Sequence, residues 1–419
     1  MLLLITPFHA DPRVGHVLFE TGIAIVTPAK IIGLLAVVGA IAAPAAENMA
    51  PRLRSSIPWL FAPFALIPVI ATSGAGLPNP TATISQLLSA VLLFIATRRL
   101  VRTPERMFNV VRILVLGFAF SSLWVYKQHF IERAPQSWGV EGDSNYEALM
   151  LLVSIPMAFW MMRHETSRRL RAIGFACGLM LCGAVVLTQS RAGIIAAGAM
   201  GLLAVFHSRH KLRNLSLLAG AALILVSFGP AGLSMRFKSI KFAGQATNGA
   251  EESTRIHVEL VKAGLYMMED HPLVGVGLGQ FSVEAPIYNP EITRLSNRTW
   301  LAHDTFVQLG SECGIPVLLL FVAMLGVALR NFRAARPAAN PALAELGWAL
   351  RLGLVGISLA AVSITVDLLP FWIFIFLSPN FREISLAEVP RPATETERRE
   401  TLFSARRMEM ASALAVPAR

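Results

Sequence analysis

Apolar runs of bilayer length recur along this chain, and they constrain its fold more than any other feature of the sequence. A helix needs roughly 20 mostly apolar residues to cross a membrane. Runs that meet this requirement lie at approximately 22–43, 57–73, 81–97, 108–126, 144–162, 172–189, 192–206, 214–230, 303–329 and 345–378. The last run is long enough for a hairpin. The pattern therefore predicts an all-α polytopic membrane protein with about 10–11 transmembrane helices.

The composition agrees with a membrane protein and differs from that of a soluble domain. Hydrophobic residues make up 54% of the chain and charged residues 15%, with a mean hydropathy of +0.58. Soluble domains have about 45–50% apolar and about 25% charged residues. The net charge of +11 does not indicate nucleic-acid binding, because the basic residues lie between apolar runs and form no recognisable binding module.

The basic residues occupy alternate loops, a pattern that orients membrane proteins. One set of loops carries Arg52 and Arg54; Arg98, Arg99, Arg102 and Arg106; Arg163, Arg168, Arg169 and Arg171; Arg209, Lys211 and Arg213; Arg330, Arg333 and Arg336. The short loops between them carry only Lys127, Arg133 and Arg191. Cytoplasmic loops hold the excess of Lys and Arg. We therefore expect the first set in the cytoplasm and the N-terminus outside it.

Four segments follow from this orientation. Residues 1–230 form an N-terminal transmembrane bundle, and residues 231–302 form a long polar segment on the extracytoplasmic, or periplasmic, side. Residues 303–378 form the C-terminal transmembrane helices, and residues 379–419 form a basic cytoplasmic tail that we expect to be disordered. Residues 1–8 are apolar but too short to span, so we expect that the true start lies upstream or that a first helix has been lost.

Arg191 is the basic residue that departs from this orientation. It lies in Thr-Gln-Ser-Arg-Ala-Gly at 188–193, in a turn between two spans at the outer surface. A charge near the membrane is costly unless an anion or water compensates it. Arg191 is therefore either an arginine that reaches the headgroups or a ligand for an anion.

The periplasmic segment contributes a second arginine and a glycine-rich turn. Arg255 begins an amphipathic helical pattern, where it can pair with Glu259 on the next turn or grip a phosphate with its planar fork. The glycines of 271–281 suggest a phosphate-binding loop, but no Lys-Ser/Thr follows them. A tight turn is the better interpretation.

His303 opens the next apolar run at the predicted membrane boundary. An ionisable group there is a candidate functional residue, and imidazole titrates close to neutral pH. A structural histidine is the alternative. Asp143 and Asn145 begin the fifth span, where such residues usually cap a helix, with a contact to sugar as the alternative. The sequence has no recognisable metal-ligand motif and no P-loop.

Together these motifs resemble the O-antigen ligase and O-antigen polymerase family of bacterial membrane glycosyltransferases. The similar features are Thr-x-Ser-Arg-x-Gly at an outer turn, Arg255 before a helix, His-Pro-Leu-x-Gly-x-Gly at 271–277, and His303 with Gly-Ile-Pro downstream. Asp143, Ser144 and Asn145 before a span also match. The resemblance runs from about residue 108 to residue 330.

The resemblance implies a multispan, GT-C-like fold and an inverting, metal-independent glycosyltransferase in the bacterial inner membrane, with its active site facing the periplasm. The donor would be a glycan on undecaprenyl diphosphate, which is a substrate, and no cofactor is expected. Arg191 and Arg255 would bind the diphosphate, and His303 would act as general base or orient the acceptor hydroxyl. The candidate substrate contacts are Asp143, Asn145, Ser190 and Asp304.

One residue departs from the family pattern, because members commonly carry Asn where this chain has Asp304. We expect the additional carboxylate either to change the orientation of His303 or to raise its basicity.

The sequence leaves the acceptor open. Lipid A–core would make the protein an O-antigen ligase, and a growing chain would make it an O-antigen or exopolysaccharide polymerase. A chain-length regulator is a candidate partner. A protein hydroxyl would make it an O-oligosaccharyltransferase. Two other classes remain as alternatives, a flippase for lipid-linked glycan and a scaffold without catalytic activity. A flippase would need no general base, and a scaffold would tolerate loss of both arginines.

Overall fold

The computed structural model describes residues 54–72, 80–134, 137–139, 143–228, 249–295, 301–335, 339–365 and 368–388, together with two short strands. The strands, β1 (Phe19–Glu20) and β2 (Ile25–Val26), pair antiparallel with Phe19 opposite Val26. The described part of the chain is otherwise built from helices. The predicted all-α membrane fold is thereby confirmed.

Fourteen helices lie within the described residues. In chain order they are α1 Ile57–Thr72, α2 Pro80–Leu100, α3 Pro104–Phe130, α4 Ser144–His164, α5 Arg168–Leu187, α6 Arg191–His207, α7 Lys211–Phe228, α8 Gly249–Asp270, α9 Phe281–Tyr288, α10 Glu291–Leu295, α11 Thr305–Cys313, α12 Ile315–Asn331, α13 Pro341–Ala360 and α14 Leu369–Ala387.

Four of these helices, α3, α4, α5 and α13, are long and apolar enough to cross a membrane. Shorter apolar helices lie at Ile57–Ile70 within α1, at α6 and at α12. The expected total of about 10–11 spans stays a prediction. The predicted first span, 22–43, lies outside the described residues except for β2, whose two β-branched residues are extended and not helical.

The predicted span at 303–329 is divided into two helices. α11 ends at Cys313 and α12 begins at Ile315, with Gly314 between them at a φ of 86°. Proline at the second position of α12 cannot donate a backbone hydrogen bond to the preceding turn, so a new helix starts there. The prediction of one helical span is therefore wrong, and His303 lies before α11, ahead of the shorter apolar helix α12.

The predicted hairpin at 345–378 is confirmed as α13 and α14, but α14 is longer than the sequence suggested. It continues to Ala387, past the proposed start of the tail at 379. Phe381 and Ile384 on this extension are buried against the bundle, and their packing explains why the helix continues. Residues 389–419, on which the prediction of a disordered tail mainly rests, lie outside the described residues.

The centre of the bundle is α4, which packs against α5, α3 and α13. Gly174 of α5 lies so close to α4 that a Cβ would come within 2.7 Å of the Met161 Cβ and 2.8 Å of the Met162 nitrogen. Gly178 faces α4 one turn later. Small residues four apart allow two helices to approach closely, which is a main source of helix association in lipid.

An aromatic cluster joins α1, α12 and α14. Phe61 meets Trp372 edge to face with ring centroids 5.2 Å apart, and Phe321 meets Phe371 in the same way at 5.2 Å. Such pairs add about 0.5–1.5 kcal/mol each beyond their buried area. The cluster fixes α12 and α14 relative to the rest of the bundle.

The two ends of the bundle carry different loops. At one end Arg98 binds Glu383 at 2.8 Å, and Arg112 binds both carboxylate oxygens of Glu165 at 2.6 and 2.8 Å. Arg98 and Glu165 lie at loops that the charge pattern assigns to the cytoplasm. α4 connects the two ends of the bundle. It ends with its cap Glu165 at this basic end, and it begins at the opposite end beside the α5–α6 turn.

A small second core builds the polar segment at that opposite end. Its buried residues come from α8 to α10 and from the chain before α11: Leu260, Ala263, Met267, Phe281, Ala285, Ile292 and Ala302. α8 packs directly on α11. This packing holds the polar segment against the end of the bundle.

Candidate functional site

The turn between α5 and α6 places Arg191 at the end of the bundle. Thr188, Gln189 and Ser190 are buried, and Gln189 has a left-handed φ of 53°. Ser190 is the N-cap of α6, because its hydroxyl accepts a hydrogen bond from the Gly193 N–H at 3.1 Å. Arg191 therefore occupies the first position of α6, where it is half-buried.

The start of α4 lies directly against this turn. The Ser190 hydroxyl donates to the Asn145 Oδ1 at 2.8 Å. Asp143 caps α4 by accepting from the Asn145 N–H at 2.8 Å and the Tyr146 N–H at 3.0 Å. The predicted cap is confirmed for Asp143, whereas Asn145 lies inside the first turn of α4. Three of the sequence candidates, Asp143, Asn145 and Ser190, lie together beside Arg191.

His303 reaches the site from the segment before α11, where it stacks on a second histidine. Its φ is 52°, and its imidazole lies on that of His257 from α8 with ring centroids 4.0 Å apart and an interplanar angle of 24°. Its neighbours are fixed by hydrogen bonds. The Ala302 N–H donates to the Gln308 side chain at 2.7 Å, and the Thr305 N–H donates to the Ala361 carbonyl at 2.8 Å. The surrounding contacts hold this unusual backbone conformation in place.

Both imidazoles are held in the neutral form at neutral pH. Burial, and then the nearby His303 and Arg191, lower the pKa of His257 to about 4. Burial also lowers the pKa of His303, and the charge of Asp143 opposes that effect. Arg191 therefore lies within electrostatic range of His257, and Asp143 lies within electrostatic range of His303. Four segments thus contribute Asp143, Arg191, His257 and His303 to one cluster, which we call the histidine–arginine site.

Asp304 has a different role from the one the sequence suggested. Its carboxylate accepts from the Phe306 N–H at 2.8 Å and the Val307 N–H at 3.0 Å, so it is the N-cap of α11. Burial raises the pKa of Asp304, and these two bonds oppose the change. The expectation that Asp304 raises the basicity of His303 is wrong. Asp143 is the carboxylate that acts on His303, and the overall pKa of His303 is lowered.

Arg255 lies at the edge of the polar segment. Its side chain is 46% exposed, and its Nη2 lies 3.4 Å from the Glu291 Oε2 on α10. Its expected partner Glu259 instead bonds to Lys262 at 2.9 Å and Asn289 at 2.8 Å. Two residues along a helix are about 200° apart around its axis, so Arg255 and His257 point to different sides of α8. No described contact joins Arg255 to the histidine–arginine site.

The glycine-rich loop between α8 and α9 is bonded to α11. The Val276 N–H donates to the Ser311 carbonyl at 2.8 Å, and the Gly277 N–H donates to the Glu312 carbonyl at 3.0 Å. Gly275 has a φ of 68°, and a Cβ there would collide with the Glu312 backbone. The buried Glu312 carboxylate accepts from the Phe281 N–H at 3.2 Å. These N–H groups are used within the protein, so the predicted tight turn is the better description than a phosphate-binding loop.

The comparison with protein families found one similarity in this region. Residues 175–322 match the family model described as O-antigen ligase. This region is similar to that family. The match covers about a third of the chain, and it includes Arg191, His257 and His303. A search of curated proteins returned no significant match.

The O-antigen ligase match supports glycan transfer of the ligase or polymerase type. It also supports a lipid-linked glycan and an acceptor glycan as the general substrate classes. Asp143 and Asn145 lie before the matched stretch, although the structure brings them to the same site. Among the described residues, no group of three or more His, Cys, Asp or Glu is arranged to hold a metal ion.

Sequence reasoning missed His257, the residue of the matched region that stacks on His303. One signal was present, because His257 lies three residues before Leu260 on an amphipathic helix, and Leu260 is fully buried. A histidine on the buried side of such a helix indicates a polar contact within the fold. The role of Glu312 in fixing the glycine-rich loop was also missed. Its carboxylate lies within an otherwise apolar run, and the loop bonds could not be derived from spacing.

Proposed function

We propose that this protein transfers glycan from undecaprenyl diphosphate to an acceptor hydroxyl at the periplasmic face of the bacterial inner membrane. The observation that supports the proposal most directly is the convergence of two neutral imidazoles and Arg191 at one end of a membrane bundle. A neutral base and a fixed cation are the two groups that such a transfer requires.

Arg191 is the residue we assign to the diphosphate. Its guanidinium is always charged and presents a planar set of donors that suits phosphate oxygens. The Ser190 cap and the N-terminus of α6 fix its position, and the helix dipole adds favourable potential for an anion there. A preorganised cation stabilises the negative charge that grows on the diphosphate as it leaves.

His303 is the residue we assign to the acceptor. Its neutral imidazole can accept the proton of the acceptor hydroxyl as the oxygen forms a bond to the anomeric carbon. The bond from that carbon to the diphosphate breaks on the opposite face, and the diphosphate leaves with the electron pair. The anomeric configuration is therefore inverted. No nucleotide is consumed, because cleavage of the sugar–diphosphate bond drives the transfer.

His257 and Asp143 support His303 in this proposal without taking the proton. The ring of His257 covers one face of His303 and excludes water from it. Asp143 stabilises the imidazolium that forms when the proton is taken, because its charge favours protonated His303. Asn145 is tied to Ser190 through its carbonyl oxygen, which leaves its amide N–H groups as candidate donors to a sugar hydroxyl.

Arg255 has a lesser part in the proposal than the sequence suggested. It can reach a diphosphate only after its guanidinium leaves Glu291. We therefore assign the phosphate contact first to Arg191.

The experiment is a transfer assay with purified protein in detergent, undecaprenyl-diphosphate oligosaccharide, a chelator and no nucleotide. One arm has no added acceptor, and another contains lipid A–core. A ladder of products without added acceptor identifies a polymerase, and a product that forms only with lipid A–core identifies a ligase. Failure to consume donor in either arm, while the donor remains a substrate for a known enzyme in the same detergent, would contradict the proposal.

A further inference from the structure

A cavity of about 190 Å³ opens at the basic end of the bundle, opposite the histidine–arginine site. Three arginines from three separate segments line it: Arg54 before α1, Arg330 in the last turn of α12, and Arg382 in α14. Ser55 and Ser56 contribute polar groups beside them. The volume is several times the roughly 30 Å³ that a water molecule occupies in the liquid.

Among the residues that the structure describes, the side chains that line this cavity carry a net positive charge. Glu383 is the one carboxylate among its lining residues, and it already binds Arg98 at 2.8 Å. No ion pair of Arg54, Arg330 or Arg382 is found among the residues that the structure describes. Three like charges that converge on one concave surface repel one another, and an anion between them would relieve that repulsion.

The surface next to the cavity is suited to lipid. α1 begins beside the cavity, and Trp59, one turn into it, is 82% exposed. Tryptophan with this exposure is typical of the membrane–water interface. Leu66 and Ile70 continue the same face of α1 and are 57% and 68% exposed. An apolar strip therefore leads from the cavity along the membrane-facing side of the bundle.

We infer that this arginine cavity binds the phosphate headgroup of an anionic phospholipid, with an acyl chain along the exposed face of α1. Guanidinium groups bind phosphate oxygens through paired hydrogen bonds, and basic pockets between membrane helices on the cytoplasmic side suit anionic headgroups. The apolar strip favours a lipid over a free phosphate ion, because a free ion would gain nothing from it. The loops that form the cavity are those that the charge pattern assigns to the cytoplasmic leaflet.

The test is a lipid titration followed by native mass spectrometry of the full chain in detergent. Phosphatidylglycerol is compared with phosphatidylcholine on the wild-type protein and on a variant with Arg54→Gln, Arg330→Gln and Arg382→Gln. A matched control carries Arg168→Gln, Arg169→Gln and Arg171→Gln, which remove the same charge from exposed positions at the start of α5. A further arm adds inorganic phosphate to the wild-type complex.

We expect wild type and control to bind the first phosphatidylglycerol at least about ten-fold more tightly than phosphatidylcholine. The cavity variant should lose most of that preference while it keeps the wild-type melting temperature. If the triple variant unfolds, Arg330→Gln alone is titrated, with a smaller loss of preference expected. The inference is overturned if the preference survives the cavity substitutions, if the control loses it equally, or if millimolar phosphate displaces the lipid. Glycan transfer is not measured, so this result is independent of the proposed function.

Discussion

His303 of the histidine–arginine site and Gln189 beside it hold a backbone conformation that L-amino acids rarely adopt. His303 has a φ of 52° and Gln189 a φ of 53°, which costs roughly 1–2 kcal/mol for a residue other than glycine. Residues with such rarely populated φ and ψ angles concentrate at functional sites. Each one orients its neighbours here, since Gln189 leads into the Ser190 cap and His303 turns its ring onto His257. The strain agrees with a site whose geometry is fixed in advance.

The carboxylate that controls His303 can be identified from the pH dependence of activity. A neutral base works above its pKa, so transfer should fall as pH falls through the pKa of His303, which lies below the ordinary value of 6.5. Asp143 raises that pKa, so Asp143→Asn should move the acid limb to lower pH. Asn also caps helices well, which preserves the start of α4. Asp304→Asn, the matched control, should leave the acid limb of the pH–activity profile in place. A larger shift of that limb in Asp304→Asn than in Asp143→Asn would contradict this account.

The two arginines should differ in their effect on transfer. Arg191→Gln removes the fixed cation of the site, and loss of one preorganised electrostatic group costs on the order of 100-fold in rate. Arg255→Gln removes a half-exposed side chain that pairs with Glu291, so we expect a loss of less than about ten-fold. Initial rates of donor consumption measure both. Equal losses would mean that Arg255 leaves Glu291 when the donor binds.

The sequence predicted some of the residues that the structure brings together. Arg191 and His303 were selected because a charge or an imidazole at a membrane boundary is unusual, and the cap at Asp143 follows from local chemistry. Neither the position of His257 beside His303 nor the distance of Arg255 from this site was predicted, because spacing along a helix does not show which side of α8 meets the bundle.

The elements that position His303 are α8, the glycine-rich loop and α11. Backbone bonds join the loop to Ser311 and Glu312, and the Ile315 N–H donates to the Pro272 carbonyl at 2.8 Å. Through these bonds the loop links the helix that carries His257 to the helix that follows His303. Distortion of the loop should therefore separate the two imidazoles.

Gly314 is the point where this arrangement is most sensitive to substitution. It has a φ of 86°, and a Cβ there would collide with the Leu273 carbonyl and come within 2.8 Å of the Val274 nitrogen. Gly314→Ala should lower stability by about 1–3 kcal/mol and reduce transfer. Gly326→Ala in α12 is the control, because no atom lies within 4 Å of its added Cβ. Thermal unfolding in detergent measures both, and similar melting temperatures would refute this role.

The break at Gly314 was not predicted, because hydropathy alone favours one continuous span at 303–329. Glycine and proline near 314–316 interrupt it, and the structure has two separate helices there. The extension of α14 to Ala387 was not expected, because its stability comes from burial of Phe381 and Ile384 against other helices. Such tertiary contacts do not follow from local hydropathy.

At the scale of the whole molecule, the structure separates two ends with different chemistry. The Arg98–Glu383 and Arg112–Glu165 ion pairs and the arginine cavity lie at one end, and the histidine–arginine site with the polar segment lies at the other. The charge pattern sorted the loops into the same two groups before any contact was known. Hydropathy and loop charge constrain topology because the bilayer fixes helix length and the electrostatics of insertion fix orientation.

The orientation predicts which positions a reagent outside the cell membrane can label. Thr293 on α10 and Arg169 on α5 are both exposed and lie at opposite ends of the bundle. A membrane-impermeant maleimide should label Thr293→Cys in intact spheroplasts and Arg169→Cys only after permeabilisation. The native Cys177 and Cys313 are buried and Cys182 is partly buried, and the wild-type chain gives the background. Labelling with the reverse pattern would place the histidine–arginine site in the cytoplasm.

The most direct test of the central claim is single-turnover consumption of the lipid-linked donor by His303→Asn. Asparagine tolerates a positive φ better than most residues, so this change removes the imidazole with little added strain. His271→Asn is the matched control, at an exposed position in the glycine-rich loop. We predict a loss of at least about 100-fold for His303→Asn and a rate within about two-fold of wild type for His271→Asn. Near wild-type turnover by a folded His303→Asn protein would contradict the assignment of transfer to this site.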